Sequence, residues 1–229
     1  MGVGHTKQIK GDDLMSNNRL HGKTIVAIGD SLFHGSKDCI GNTWLEMLAK
    51  RNEMKLYNYG QNGNTVSVQY KEKQILPPMC VRYADMADGA DYVVVLGGAN
   101  DKRLSIPLGE IDSTSPETFC GALNTLIAGI TSKYPRARIL FMTNYNRWPT
   151  KNEIGLSDID YVEAMKAVCA EQSIPCFDNY HCCGISFQNP AHSAWMDEGV
   201  VRGDGPNRHF SAEAYEWLSY KYESLLVSL

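Results

Sequence analysis

The sequence has no apolar run approaching the ~20 residues that a membrane-crossing helix needs, so no helical membrane span is expected. Its first twenty residues, MGVGHTKQIKGDDLMSNNRL, lack the apolar core of a secretory signal, and a cytoplasmic protein is the expectation. Basic runs are missing too. The 22 Lys+Arg stand against 26 Asp+Glu, and a formal net charge of −4 argues against nucleic acid as a main partner. No CxxC spacing occurs among the seven cysteines (39, 80, 120, 169, 176, 182 and 183), and an odd count suits reduced thiols better than a disulfide framework. His181-Cys182-Cys183 has no second ligand pair that would close a tetrahedral site, so neither a metal nor any other cofactor is expected. No internal repeat or low-complexity tract is visible. With 43% apolar and 21% charged residues over 229 positions, the composition is that of an ordinary globular protein with a sizeable core.

What is present is an alternation of apolar runs and helical patterns. Lys23–Gly29, Lys55–Tyr59, Asp91–Gly97, Ala137–Thr143 and Ile174–Asp178 read as strands, the first and third apolar on both faces. Asn42–Asn52, Thr118–Tyr134, Asp158–Gln172 and Ser211–Leu226 read as helices, the last with Ser211 as N-cap. Strand–helix alternation implies a mostly parallel five-stranded sheet covered by helices on both faces, a three-layer α/β/α sandwich. Residues 1–21 read as an extended arm and 22–229 as one domain, because the candidate chemical groups described next span the whole of it.

In such a sheet, ligands bind where loops converge beyond the carboxyl ends of the strands. The loops there are GDSLFHG (29–35), GQNGNT (60–65), GGAND (97–101) and the long segment before the last helix. Ser31 follows the first strand and either caps a helix or presents a nucleophilic hydroxyl. GDSLF is not the G-x-S-x-G elbow of α/β-hydrolases, and no G-x-G-x-x-G marks a dinucleotide site. A serine nucleophile needs a base. Of six histidines, His209 is the choice, since Asp204 lies five residues upstream and can hold one ring nitrogen while the other faces the serine. A developing oxyanion needs aligned donors, and the Asn100 amide, the Gly63 N–H and the Ser31 N–H are available for it. Each of these groups taken singly is also ordinary turn chemistry. Four loops at one edge, each carrying a suitable group, are harder to read that way.

These residues resemble the SGNH hydrolases, also called the GDSL esterase/lipase family. The resemblance rests on Gly29-Asp30-Ser31, NYGQNGNT (58–65), GGAND (97–101) and DGPNRH (204–209), in the family's order and over about residues 22–229. It implies a flavodoxin-like fold, Ser31 as nucleophile, Gly63 and Asn100 completing the oxyanion hole, and His209 as base. The family's usual Asp-x-x-His differs here, because Pro206 occupies the position three before His209. A two-residue insertion that keeps Asp204 as the acid is the simplest account, with Asp197 as fallback and an acid-free Ser–His dyad as a third arrangement.

The expected activity is hydrolysis of a carboxylic ester, a short-chain acyl or acetyl ester of a carbohydrate or other small soluble molecule. A lysophospholipid-type ester and a non-catalytic binding module are the alternatives. Asn144, Arg147 and Trp148, in the loop after the fourth strand, are candidates to line the substrate pocket. Arg82 either faces the site or pairs with a carboxylate. Homo-oligomerisation is left open.

Overall fold

The computed structural model describes residues 18–74, 76–146, 150–197 and 209–229. Its centre is a five-stranded sheet of β1 (Thr24–Gly29), β2 (Lys55–Gly60), β3 (Tyr92–Leu96), β4 (Arg138–Met142) and β5 (Cys176–Phe177). The strand order is β2-β1-β3-β4-β5, and every pairing is parallel, so the sheet expected to be mostly parallel is wholly so. β1 turns to β2 on one side and β3 on the other, which makes the gap beyond β1 and β3 the topological switch point of the sheet.

Successive side chains of a strand point to opposite faces, and here both faces are covered. Ile25 and Ala27 of β1, with Tyr92, Val94 and Leu96 of β3, pack in one layer with α2 (Trp44–Arg51) and α8 (Ala212–Ser228). Val26 and Ile28, with Val93 and Val95, pack in the opposite layer with α5 (Phe119–Lys133) and α6 (Asp158–Glu171). This explains the unbroken apolar runs of β1 and β3, since a strand buried on both faces has no polar side to alternate with.

The long helices begin on local signals. Thr43 and Glu46 form a capping box on α2, and Ser157 and Asp160 form one on α6. Ser211 caps α8 as expected, its Oγ accepting from Ala214 N at 3.2 Å. Four short helices lie in loops that the periodicity leaves blank: α1 (Ser31–His34), α3 (Met79–Arg82), α4 (Ala99–Arg103) and α7 (Asn179–Cys182). β5 has two residues where five were expected. Within the stretch expected to be an arm, Asn18 donates to Asn52 Oδ1 at 2.8 Å and Leu20 is fully buried in the core.

Two glycines let the strand ends approach α1. A Cβ on Gly60 would fall on His34 N and within 2.6 Å of Phe33 C, and one on Gly29 would lie 2.6 Å from the Phe33 ring. At Gly60 the obstructing atoms are backbone and cannot rotate aside. Gly60→Ala should therefore destabilise the fold by about 2 kcal/mol, seen as a lower urea midpoint; an unchanged midpoint would contradict the close approach.

Candidate active site

The loop after β1 is short and tightly tied. Asp30, buried, caps α1 by accepting Leu32 N at 2.9 Å through Oδ1, and Ser31 opens the helix in a half-buried position. The loop after β2 begins where Gln61 N donates to the Gly29 carbonyl at 3.0 Å and turns through Asn64 N to Gln61 O at 3.1 Å. Gly63 sits at the apex with φ +72°, in the left-handed region that glycine enters without a Cβ penalty. The space a Cβ would take there is open, so no neighbouring atom crowds that side of the turn.

The loop after β3 is joined to that turn and the residues just after it by three hydrogen bonds. Asn100 Nδ2 donates to the Asn64 carbonyl at 3.1 Å, and an amide carries two N–H groups, so the second remains for another acceptor. Asp101, fully buried, accepts Val66 N and Ser67 N at 3.0 Å each. Burial raises the Asp101 pKa above its ordinary value, against the opposing pull of those N–H groups.

Arg82 closes the frame. Its Nε donates to Asn64 Oδ1 at 2.9 Å and its Nη2 to the Gly29 carbonyl at 3.0 Å, with the side chain buried. It was expected to face the site or to pair with a carboxylate. Instead it joins the end of β1 to the turn after β2. Burial lowers its pKa to about 10, which leaves the guanidinium charged near neutral pH. Asn64 is thus held three ways: Oδ1 on Arg82, the carbonyl on Asn100, and Nδ2 on the Pro77 carbonyl at 3.0 Å.

His209 arrives from the other end of the chain. Its carbonyl accepts Asp197 N at 3.2 Å beside an isolated antiparallel bridge between Met196 and Phe210, so Asp197 lies directly opposite His209. Phe210 anchors the segment, fully buried, with ring centroids 4.9 Å from Tyr145 and 5.0 Å from Phe187. Two contacts bring this segment to the loop that carries Ser31. Tyr215 Oη donates to the Leu32 carbonyl at 3.2 Å, and Ser36 Oγ to Asp197 Oδ2 at 2.7 Å. Asp204, Arg147 and Trp148 lie outside the described residues.

Asn144 differs from the expectation. It is 2% exposed, and its Nδ2 donates inward to Asp158 Oδ1 at 2.8 Å, so burial takes it away from an open pocket wall. His181-Cys182-Cys183 does not converge on one point: Cys183 is buried with Sγ on the Ile185 carbonyl, while Cys182 is exposed. Glu163, Asp178 and His181 do cluster, but the Lys166 ammonium already lies 2.9 Å from both carboxylates.

The folded arrangement is a three-layer α/β/α sandwich with an all-parallel sheet, and the loops that carry Ser31, Gly63 and Asn100 follow β1, β2 and β3. The chain matches the model of the GDSL-like lipase/acylhydrolase family over residues 27–217 and belongs to that family. It is a serine ester hydrolase. Its fold is also that of a protein from Lactobacillus plantarum, 24% identical, with a TM-score of 0.75 over 92% of this chain and 99% of the other. An aryl esterase of M. smegmatis is 16% identical with a TM-score of 0.63, covering 91% and 100% of the two chains. A carbohydrate acetylesterase from Sinorhizobium meliloti is 16% identical with a TM-score of 0.61, covering 90% and 99%. No curated protein matches the chain. Among the described residues, no helix is long and apolar enough to cross a membrane.

The sequence alone raises Arg82 without its loop-bridging role and does not single out Asp101. Arg82 lies two and three residues after the buried Cys80 and Met79, and a cation in that largely apolar stretch was the available signal. Arg82→Met leaves the Gly29 carbonyl and Asn64 Oδ1 without this donor and should cost about 3 kcal/mol in urea denaturation. Arg82→Lys, able to reach one acceptor at a time, should recover part of that loss. Equal stability of all three proteins would contradict the clasp.

Proposed function

We propose that Ser31 attacks the carbonyl carbon of an ester while His209, oriented by Asp204, takes the hydroxyl proton. The tetrahedral oxyanion is held by the Ser31 N–H, the Gly63 N–H and the Asn100 amide. Collapse breaks the bond to the alkoxide, which leaves as the alcohol with the proton from His209. Water, deprotonated by His209, then attacks the acyl-enzyme, and release of the carboxylic acid restores Ser31. The steps need neither metal nor organic cofactor, and residues 22–229 act as one catalytic unit. The observation that carries this reading is the tying of the Ser31, Gly63 and Asn100 loops into one frame by Arg82 and Asn64. Donors fixed before the reaction stabilise a transition state without reorganising, which is where most of their effect lies.

The proposed substrate is a short-chain acyl or acetyl ester of a carbohydrate or other small soluble molecule. A net charge of −4 gives no general attraction to anionic membranes, and the fold is shared with a protein that is itself a carbohydrate acetylesterase. All seven cysteines are free thiols, which supports the reading of a reducing, cytoplasmic setting.

A second reading of the acid follows from the bridge, which sets Asp197 opposite His209 with its carboxylate already accepting Ser36 Oγ. Paired variants separate the two. With p-nitrophenyl acetate, Asp204→Asn should lower kcat by about 10⁴, and Asp197→Asn by less than tenfold. The reverse order would move the role to Asp197. Asn100→Ala should lower kcat by about 10²–10³ with little change in KM, and Ser31→Ala should abolish turnover. Turnover that survives Ser31→Ala would sink the serine mechanism.

A further inference from the structure

Asn100 is fixed from its other side by a pair of residues that the reaction does not itself require. Arg103, one turn later on α4, donates from Nε to Asn100 Oδ1 at 3.3 Å. Its fork is occupied at the same time, with Nη1 on Glu72 Oε1 at 2.7 Å and Nη2 on Glu72 Oε2 at 3.0 Å. Glu72 stands on a closed turn of its own, its N–H on Gln69 Oε1 at 2.9 Å and its carbonyl accepting Gln69 Nε2 at 2.6 Å. The hydrogen bond from Arg103 holds the Glu72 carboxyl below its ordinary range.

Both charged side chains reach solvent, with relative exposures of 33% for Arg103 and 52% for Glu72. Exposed ion pairs contribute little to stability, so a bidentate pair aimed at one amide oxygen invites another explanation. An asparagine amide rotated by half a turn presents its oxygen where its N–H₂ had been. At an oxyanion donor that rotation replaces attraction with repulsion. An N–H fixed on Oδ1 opposes the rotation, and a cationic donor there also polarises the amide and strengthens the remaining N–H.

We propose that Arg103, braced by Glu72, is a positioning residue that locks the Asn100 amide with Nδ2 toward the reacting oxygen. The inference rests on the reading of Asn100 as an oxyanion donor. Lysine is a poor substitute, because its rotating ammonium has no planar fork to grip Glu72 through two N–H groups while a third stays fixed on Asn100.

The test is a double-mutant cycle with p-nitrophenyl acetate, kcat and KM being measured separately for wild type, Arg103→Met, Asn100→Ala and the double variant. Arg103→Met should lower kcat about tenfold, less than loss of the donor itself, with KM unchanged and a melting temperature within about 2 °C of wild type. In the Asn100→Ala background the same substitution should have no further effect on kcat. Glu72→Gln should give a smaller fall, and Arg103→Lys should not restore the rate. A tenfold fall that persists in the Asn100→Ala background would overturn the inference while leaving the Asn100 reading intact. So would a change in KM alone, or full activity in Arg103→Lys. Full activity of Asn100→Ala would instead remove the oxyanion reading, and this inference with it.

Discussion

The clasp of the buried Arg82 guanidinium on the Gly29 carbonyl and the Asn64 side chain is the interaction on which the site depends. Loops beyond the strand ends of a parallel sheet are not held by the ladder, and each would otherwise choose its own conformation. One planar cation with several donors bridges two of them, and the Asn64 carbonyl passes the constraint to Asn100 on the third. Asp101 adds a second tie by accepting two N–H groups from the segment after β2. No carboxylate among the described residues pairs with Arg82, and burying a cation in that way is costly. The fold accepts it where two oxygen acceptors, one on each loop, meet the guanidinium.

The remaining elements bring His209 to that frame. Its segment is fastened by the bridge to Met196, by the Phe210 ring among Tyr145, Phe187 and Tyr215, and by the Ser211 cap on α8. Tyr215 then reaches the Leu32 carbonyl, one residue beyond Ser31. Ser31, near the start of the chain, and His209, near its end, are therefore linked through contacts between their flanking residues, as the proposed nucleophile and base require.

Much of the fold is legible in the sequence, for physical reasons. β1, β3 and the helices α5, α6 and α8 carry apolar runs or stripes long enough to show their period. One-turn helices such as α1 and α4 have no period to show, and the two residues of β5 are too few to set a strand end. Ser31, Gly63, Asn100 and His209 were legible as candidates because their residue types suit loops and chemistry alike. Direction was not legible. Asn144 has the same chemistry as Asn100 yet donates inward to a buried Asp158, and nothing in a loop sequence distinguishes the two. The partners of Arg82, and the Glu72 partner of Arg103, were also hidden, because they come from distant segments that only the folded chain brings within reach.

The central claim is that Ser31 is activated as a nucleophile by His209 inside this frame, and covalent trapping tests it most directly. An organophosphonate ester that mimics the tetrahedral intermediate should add once per chain. Mass spectrometry of the digested protein should place the adduct on the peptide containing Ser31, and His209→Ala should block it. An adduct on another residue, or equal labelling of Ser31 without His209, would contradict the account.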